Sequence, residues 1–185
     1  MNASLPSVPV LYPFSSLYKT EEMPSPLLFS CPLCALGEED AASLVREGGL
    51  GTVVDLRTDG EEASLPDVQI PGVLYLFAPL PPLAFFPDRE AQARAVLSDK
   101  ESLFSLRRVF DVLLHREGTV LVHCADGHER CDLISSLLLA LLGEEAGISS
   151  VLRDECGGAE AFFRDRLGYR DGILPLLREK FGGKS

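Results

Sequence analysis

Tryptophan is absent from these 185 residues, only 3 are histidine, and 17 basic residues face 28 acidic ones, for a net charge of −11. That shortage of cations argues against nucleic acid or an anionic membrane surface as the main partner, since both demand basic clusters. Long apolar runs are also missing. Leu137–Leu142 falls well short of a membrane span and reads as buried helix, so no integral membrane association is expected. The chain does not open on a basic region followed by an apolar stretch, so no signal peptide is read. Five cysteines, an odd number, fit a complete disulfide framework poorly and a reducing cytoplasm better.

What is present is ordinary for a globular chain. Hydrophobic residues at 46% and charged ones at 24% suffice for a core that stands without disulfides. Residues 1–27 read as an extended, Pro- and Ser-rich lead-in (Pro6, Pro9, Pro13, Pro24, Pro26), and residues 28–185 as one domain. Acids at Glu38-Glu39-Asp40 open a helix that Gly48-Gly49 stops. Thr52–Leu56 and Val73–Phe77 read as strands, with the Asp59-Gly60 turn between them. Pro79, Pro81, Pro82 and Pro87 mark a loop. Helical patterns follow from about Glu90 and from Leu103 to His115. Val120–Val122 is a third strand, and Leu133–Leu142 begins a helical remainder with breaks at Gly157-Gly158 and Gly168. Alternating strands and helices predict an α/β fold, a central mostly parallel sheet flanked by helices.

Chemistry concentrates in one octapeptide, His123-Cys124-Ala125-Asp126-Gly127-His128-Glu129-Arg130. It lies between the strand and the leucine-rich helix, where successive backbone N–H groups of Ala125 through Arg130 can ring a phosphate at a helix N-terminus. The positive end of that helix lowers the pKa of a cysteine at the loop's mouth. Cys124 is therefore the expected nucleophile, forming a phosphocysteine that water then hydrolyses. Arg130 is expected to grip two phosphate oxygens with its fork, Gly127 to take positive φ, and His123 to face away from substrate and bond backbone near Cys124. A cysteine after a strand is often only a small buried hydrophobe; the histidine, glycine and flanking elements favour the phosphate loop.

This stretch resembles the bacterial tyrosine-phosphatase-like family, whose loop reads H-C-T-A-G-K-D-R-T-G before a leucine-rich helix. Leu133–Gly143 is similar to that helix. Leu28-Phe29-Ser30, Glu38-Glu39-Asp40, Val53–Thr58, Gly72–Leu76 and Ala78-Pro79-Leu80 resemble its upstream segments in order. The resemblance implies a cysteine-phosphatase fold and a metal-free, cofactor-free phosphomonoester hydrolase. Its expected partners are phosphorylated proteins, most of all at phosphotyrosine, or small phosphomonoesters. It also implies an acid at Glu129, beside the loop arginine, whose alternative role is to brace the loop. In the wider superfamily the acid stands on an upstream loop, and Asp88 in Phe86-Pro87-Asp88 fits that place, with a helix N-cap as its alternative role.

The sequence departs from the family at several points. Phe29 replaces an arginine, Asp126 a small residue, His128 a lysine linked to phosphoinositide preference, Cys131 a thiolate-bonding Thr or Ser, and Asp132 a Gly. An inward carboxylate at Asp126 would repel a phosphate dianion. Two other readings therefore stay open: a pseudophosphatase that binds phosphate without turnover, and a phosphoinositide phosphatase. A rhodanese or arsenate reductase would not account for Asp55-Leu56-Arg57. Asp55 and Arg57 are expected to be structural, Arg57 pairing with Glu61 or Glu62. Cys131 stands for the usual hydroxyl residue, or for a disulfide partner of Cys124. Cys31-Pro32-Leu33-Cys34 lacks a second pair or a nearby histidine and reads as chance rather than zinc or redox chemistry. Oligomeric state is not legible.

Overall fold

In a computed structural model, residues 10–13, 27–83 and 86–181 are described, the first four by their backbone alone. Strands β1 (Val10–Pro13), β2 (Leu27–Ser30), β3 (Leu50–Asp55), β4 (Leu74–Phe77) and β5 (Thr119–His123) form one sheet in the order β1-β2-β5-β3-β4. Pairing is parallel from β2 through β4, and β1 lies antiparallel on β2 at the edge. The expected mostly parallel α/β sheet is thus what forms.

One strand, Val10–Pro13, falls within the expected lead-in, and a second, Leu27–Ser30, starts at its boundary with the domain. Val10–Pro13 and Leu27–Ser30 pair into the sheet, and β2 is buried throughout. Their short apolar runs sit among prolines, and only pairing with β5 makes Leu27–Ser30 an interior strand. The rest of the lead-in lies outside the described residues.

β5 is buried on both faces, which its unbroken apolar sequence anticipates. Its side chains alternate with the pleat. Val120 and Val122 join the larger core with Leu27, Phe29 and Val54, whereas Leu121 joins a smaller one with Leu28, Leu44 and Val53. Helix α1 (Glu38–Arg46) contributes to the smaller face. The short α2 (Asp59–Ser64) follows β3 and is nucleated by a reciprocal capping box between Thr58 and Glu61. The larger face is packed by α3 (Arg89–Ser98), α4 (Lys100–His115), α5 (Glu129–Leu141), α6 (Ser149–Cys156), the short α7 (Ala159–Ala161) with its π-helical continuation Phe162–Arg166, and α8 (Leu174–Phe181). Helix α5 begins four residues before the leucine-rich run, because Glu129–Asp132 are recruited at the loop.

Register brings the ends of the parallel strands together. Asp55 of β3 and Ser30 of β2 both stand level with His123 of β5. The loops after these strands open on the same edge, the usual place for a ligand in a parallel α/β sheet.

Candidate active site

Cys124 follows β5 directly and is fully buried, so its sulfur sits at the base of a loop whose rim, Ala125, Asp126 and His128, is exposed. Gly127 turns the chain with φ 72°, a left-handed conformation that side chains resist. No side chain of the N-cap residue covers the start of α5. Instead the His128 N–H donates to Asp126 Oδ1 at 2.9 Å.

A chain of hydrogen bonds runs through the sulfur. Cys131 Sγ donates to Cys124 Sγ at 3.4 Å, and Cys124 Sγ donates to Asp126 Oδ1 at 3.1 Å. The Cys131 bond holds the Cys124 pKa below the usual thiol range, against burial and the Asp126 carboxylate, which push it up. Cys131 is moved the other way, well above the thiol range, by its bond to Cys124 and by burial, so it remains a proton donor. Asp126 is partly sheltered. Burial raises its pKa, but the His128 N–H, the Cys124 thiol and the nearby charge of Arg130 outweigh it and keep the carboxyl ionised. The carboxylate that departs from the family pattern thus points inward, against the sulfur.

Arg130 is 4% exposed and anchored from behind. Glu61 on α2 takes both terminal nitrogens, Nη1 to Oε2 and Nη2 to Oε1, each at 2.7 Å. Nη1 also donates to the carbonyls of Leu56 and Leu80, each at 3.2 Å. This end-on grip leaves the side-on fork, Nε–H with the second Nη2 hydrogen, without a protein partner among the described residues. An oxyanion fits such a fork. The Arg130 hydrogen bond drives Glu61 down to about 2, helped by the Thr58 cap and opposed by burial. Burial lowers the Arg130 pKa, and the Glu61 bond and charge more than restore it.

Arg57 does not pair with Glu61 or Glu62, as its neighbourhood in sequence suggested. Its guanidinium instead takes Asp55 side-on, Nε to Oδ1 at 2.9 Å and Nη2 to Oδ2 at 2.7 Å, and bridges to Asp67 Oδ2 at 2.9 Å. Glu61 is left for Arg130. Asp55 ends β3 and accepts the Arg57 backbone N–H as well, while the capping box holds Glu61 on Thr58. His123 is likewise corrected. Its Nε2 stands 2.9 Å from Asp67 Oδ2 and its Nδ1 3.8 Å from Asp55 Oδ1, with no backbone hydrogen bond near Cys124. The imidazole and Arg57 together meet two buried carboxylates behind the loop.

Asp55, Asp67 and His123 offer ligand atoms close enough for a metal ion. The donor set does not suit one here, because the Arg57 guanidinium already lies against both carboxylates. Asp67 was missed by sequence reasoning; it follows Pro66 in an irregular segment with no pattern pointing toward the site. Its other oxygen accepts the Leu33 N–H at 2.8 Å, tying the segment after β2 to the same cluster.

The two acids singled out as proton donors part ways. Asp88 is the N-cap of α3, accepting the Ala91 N–H at 2.8 Å, and is exposed. Its helix-capping alternative is the one the fold uses. Glu129, in the first turn of α5, lines a cavity of about 380 Å³ beside the loop, with buried Leu83, Ala93 and Leu133 and the ion pair Arg89–Asp132. It makes no ion pair or hydrogen bond with Cys124 or Arg130 among the described residues. Cys31 and Cys34 are free thiols, as are Cys124, Cys131 and Cys156.

At the C-terminal ends of the parallel strands the chain thus brings a buried cysteine and a carboxylate-anchored arginine to the start of α5, an arrangement able to hold an oxyanion. Residues 24–148, more than half of the chain, match the tyrosine phosphatase family, and the protein belongs to that family of phosphatase hydrolases. No curated protein matches the chain in sequence. Similar solved structures include a protein of Neisseria meningitidis assigned as a phosphatase (24% identity, 77% of this chain and 91% of that one, TM-score 0.42). A second is TpbA of P. aeruginosa, solved as a cysteine-to-serine variant in complex with phosphotyrosine (23%, 87% and 88%, TM-score 0.42). A third is PTPMT1, solved with the phosphoinositide PI(5)P (15%, 84% and 90%, TM-score 0.36).

Proposed function

We propose that this protein hydrolyses phosphomonoesters through a phosphocysteine on Cys124, acting foremost on phosphotyrosine in proteins. One observation carries the reading: Arg130 is gripped end-on by Glu61, so its side-on fork is left for an oxyanion in the loop that holds the Cys124 thiol. The in-line attack needs a thiolate, and the Cys131 hydrogen bond favours it. The phosphoryl oxygens would meet backbone N–H groups of Ala125 through Arg130 and the remaining Arg130 donors. Asp55, Arg57 and His123 serve as the buried brace beneath the loop. Residues 28–185 act as one domain, without metal or cofactor.

The tyrosine preference rests on the family match. His128, where a lysine accompanies phosphoinositide preference in the family resembled, disfavours lipid phosphate. Among the described residues no helix is long and apolar enough to cross a membrane. We place the protein in the cytoplasm because five free thiols suit a reducing compartment.

Vanadate-sensitive hydrolysis of p-nitrophenyl phosphate tests the proposal. Wild type should turn over, and Cys124→Ser should bind oxyanion without turnover. Absence of turnover by wild type from about pH 5 to 8, with oxyanion still bound, would make the chain a pseudophosphatase. A phosphotyrosine peptide should be preferred to phosphoinositide vesicles, and the reverse preference would replace the substrate assignment.

A further inference from the structure

The cavity of about 380 Å³ between α3 and α5 adjoins the phosphate loop and takes no part in the chemistry of the sulfur. Its floor is apolar, with Leu83, Leu133 and Ile148 each more than nine-tenths buried. Ser136, on the α5 wall, is 9% exposed, yet its hydroxyl has no hydrogen-bond partner among the described residues. A sheltered hydroxyl in that position is a polar group that a ligand atom can satisfy.

The charges on the wall give the sign of that ligand. Glu129, Asp132 and Ser136 succeed one another along one face of α5, spaced by three and four residues. Against the two acids stands one cation, Arg89, held on Asp132 at 3.0 Å. The Glu129 side chain has no hydrogen bond or ion pair among the described residues, so with histidine neutral the wall carries one negative charge in excess. Glu129 and His128 also belong to the phosphate loop, so loop and cavity share a wall and one substrate can occupy both. A phosphate dianion approaching this chain meets a net charge of −11 and, at the loop, the Asp126 carboxylate. A basic residue beside the phosphate offsets both.

We propose that this cavity is a specificity subsite for a lysine or arginine side chain lying within two positions of phosphotyrosine in the substrate. The inference rests on the reading of the protein as a phosphotyrosine phosphatase and names the substrates within it. The aliphatic stem of the basic residue packs on Leu83, Leu133 and Ile148. Its cationic head donates to Asp132 and to Ser136 Oγ, with the Glu129 charge one turn nearer the loop adding to the attraction. No bond is made or broken here; these residues position the substrate. Arg89 competes with the substrate cation for Asp132 and so sets the strength of the preference.

The test uses a neutral phosphotyrosine peptide carrying lysine, norleucine, alanine or glutamate at each position from two before to two after the phosphotyrosine. Turnover is measured with wild type and binding with Cys124→Ser. At one position or more, lysine should exceed norleucine, which has the stem without the charge, by about 10-fold in kcat/KM and in affinity, and glutamate by about 100-fold. Asp132→Lys should abolish the lysine preference, and Arg89→Ala should enlarge it several-fold. Ser136→Leu, which fills the cavity, should weaken the lysine and norleucine peptides and spare alanine; should it not fold, Asp132→Lys, altering a part-exposed position, decides. Lysine no better than norleucine at every position, or a preference unchanged in Asp132→Lys, would overturn the subsite. If wild type turns over neither the peptides nor p-nitrophenyl phosphate while Cys124→Ser still selects lysine, the phosphatase reading fails and the subsite stands.

Discussion

Replacing Glu61 by glutamine should damage both the stability and the aim of Arg130, in a way that depends on pH. The Glu61 carboxyl falls from 4.5 to about 2 because Arg130 binds it with two hydrogen bonds. A folded pKa below the unfolded one means that the pair stabilises above the unfolded value and that this contribution is lost as pH falls toward the folded value. The shift corresponds to about 3.4 kcal/mol at neutral pH by the free energy of one pKa unit. The Glu61 side chain is 28% exposed, so solvent screening reduces that to about 1.5–2 kcal/mol. Glutamine keeps one acceptor but turns the other oxygen into an amide donor, so the difference reports the lost charge together with a lost hydrogen bond, and its pH dependence isolates the charge.

Urea denaturation at pH 6 should show Glu61→Gln less stable by about 1.5–2 kcal/mol, and the gap should narrow by about 1 kcal/mol at pH 3. In parallel, kcat/KM should fall by about 10- to 100-fold, because Arg130 retains its tethers to Leu56 and Leu80 but loses the clamp that sets its free fork. A gap that stays constant from pH 6 to 3 would refute the assignment of the stabilising charge to Glu61. Unchanged kcat/KM would refute the clamp.

Two further outcomes follow from the geometry. Mild hydroperoxide treatment should join Cys124 and Cys131, 3.4 Å apart, in a disulfide. Peptide mass mapping would show the loss of two hydrogens with activity restored by thiol, and in Cys131→Ser irreversible sulfinic acid on Cys124 should appear instead; lasting oxidation in wild type would contradict the pairing. Asp88→Ala should lower stability by about 1 kcal/mol through loss of the α3 cap while sparing the basic limb of the pH–rate profile. A lost basic limb would return Asp88 to the proton-donor role.

Much of this protein was readable from local pattern. The unbroken apolar run Thr119–Val122 dictates a strand buried on both faces, and the leucines from Leu133 dictate a helix packed on it. With Cys124, Gly127 and Arg130 between them, strand, turn and helix are the context that an anion loop needs. Asp88, at the junction of a proline-rich loop and a helix, carries two meanings in sequence, and the structure shows the helix cap. β2 was hidden for a related reason, since a four-residue strand carries almost no periodicity of its own and is defined by its neighbour.

By itself, then, the sequence determined the alternation of strands and helices, the buried β5 and the cysteine–arginine loop, all of which depend on residues close together in the chain. Only the tertiary structure decided the partners: Glu61 for Arg130 rather than for Arg57, Asp67 for Arg57 and His123, and the carboxylate of Asp126 against the sulfur. Charge pairing of that kind depends on which strand ends the sheet register brings level and on which way a capped helix turns its acids. Residue spacing encodes neither.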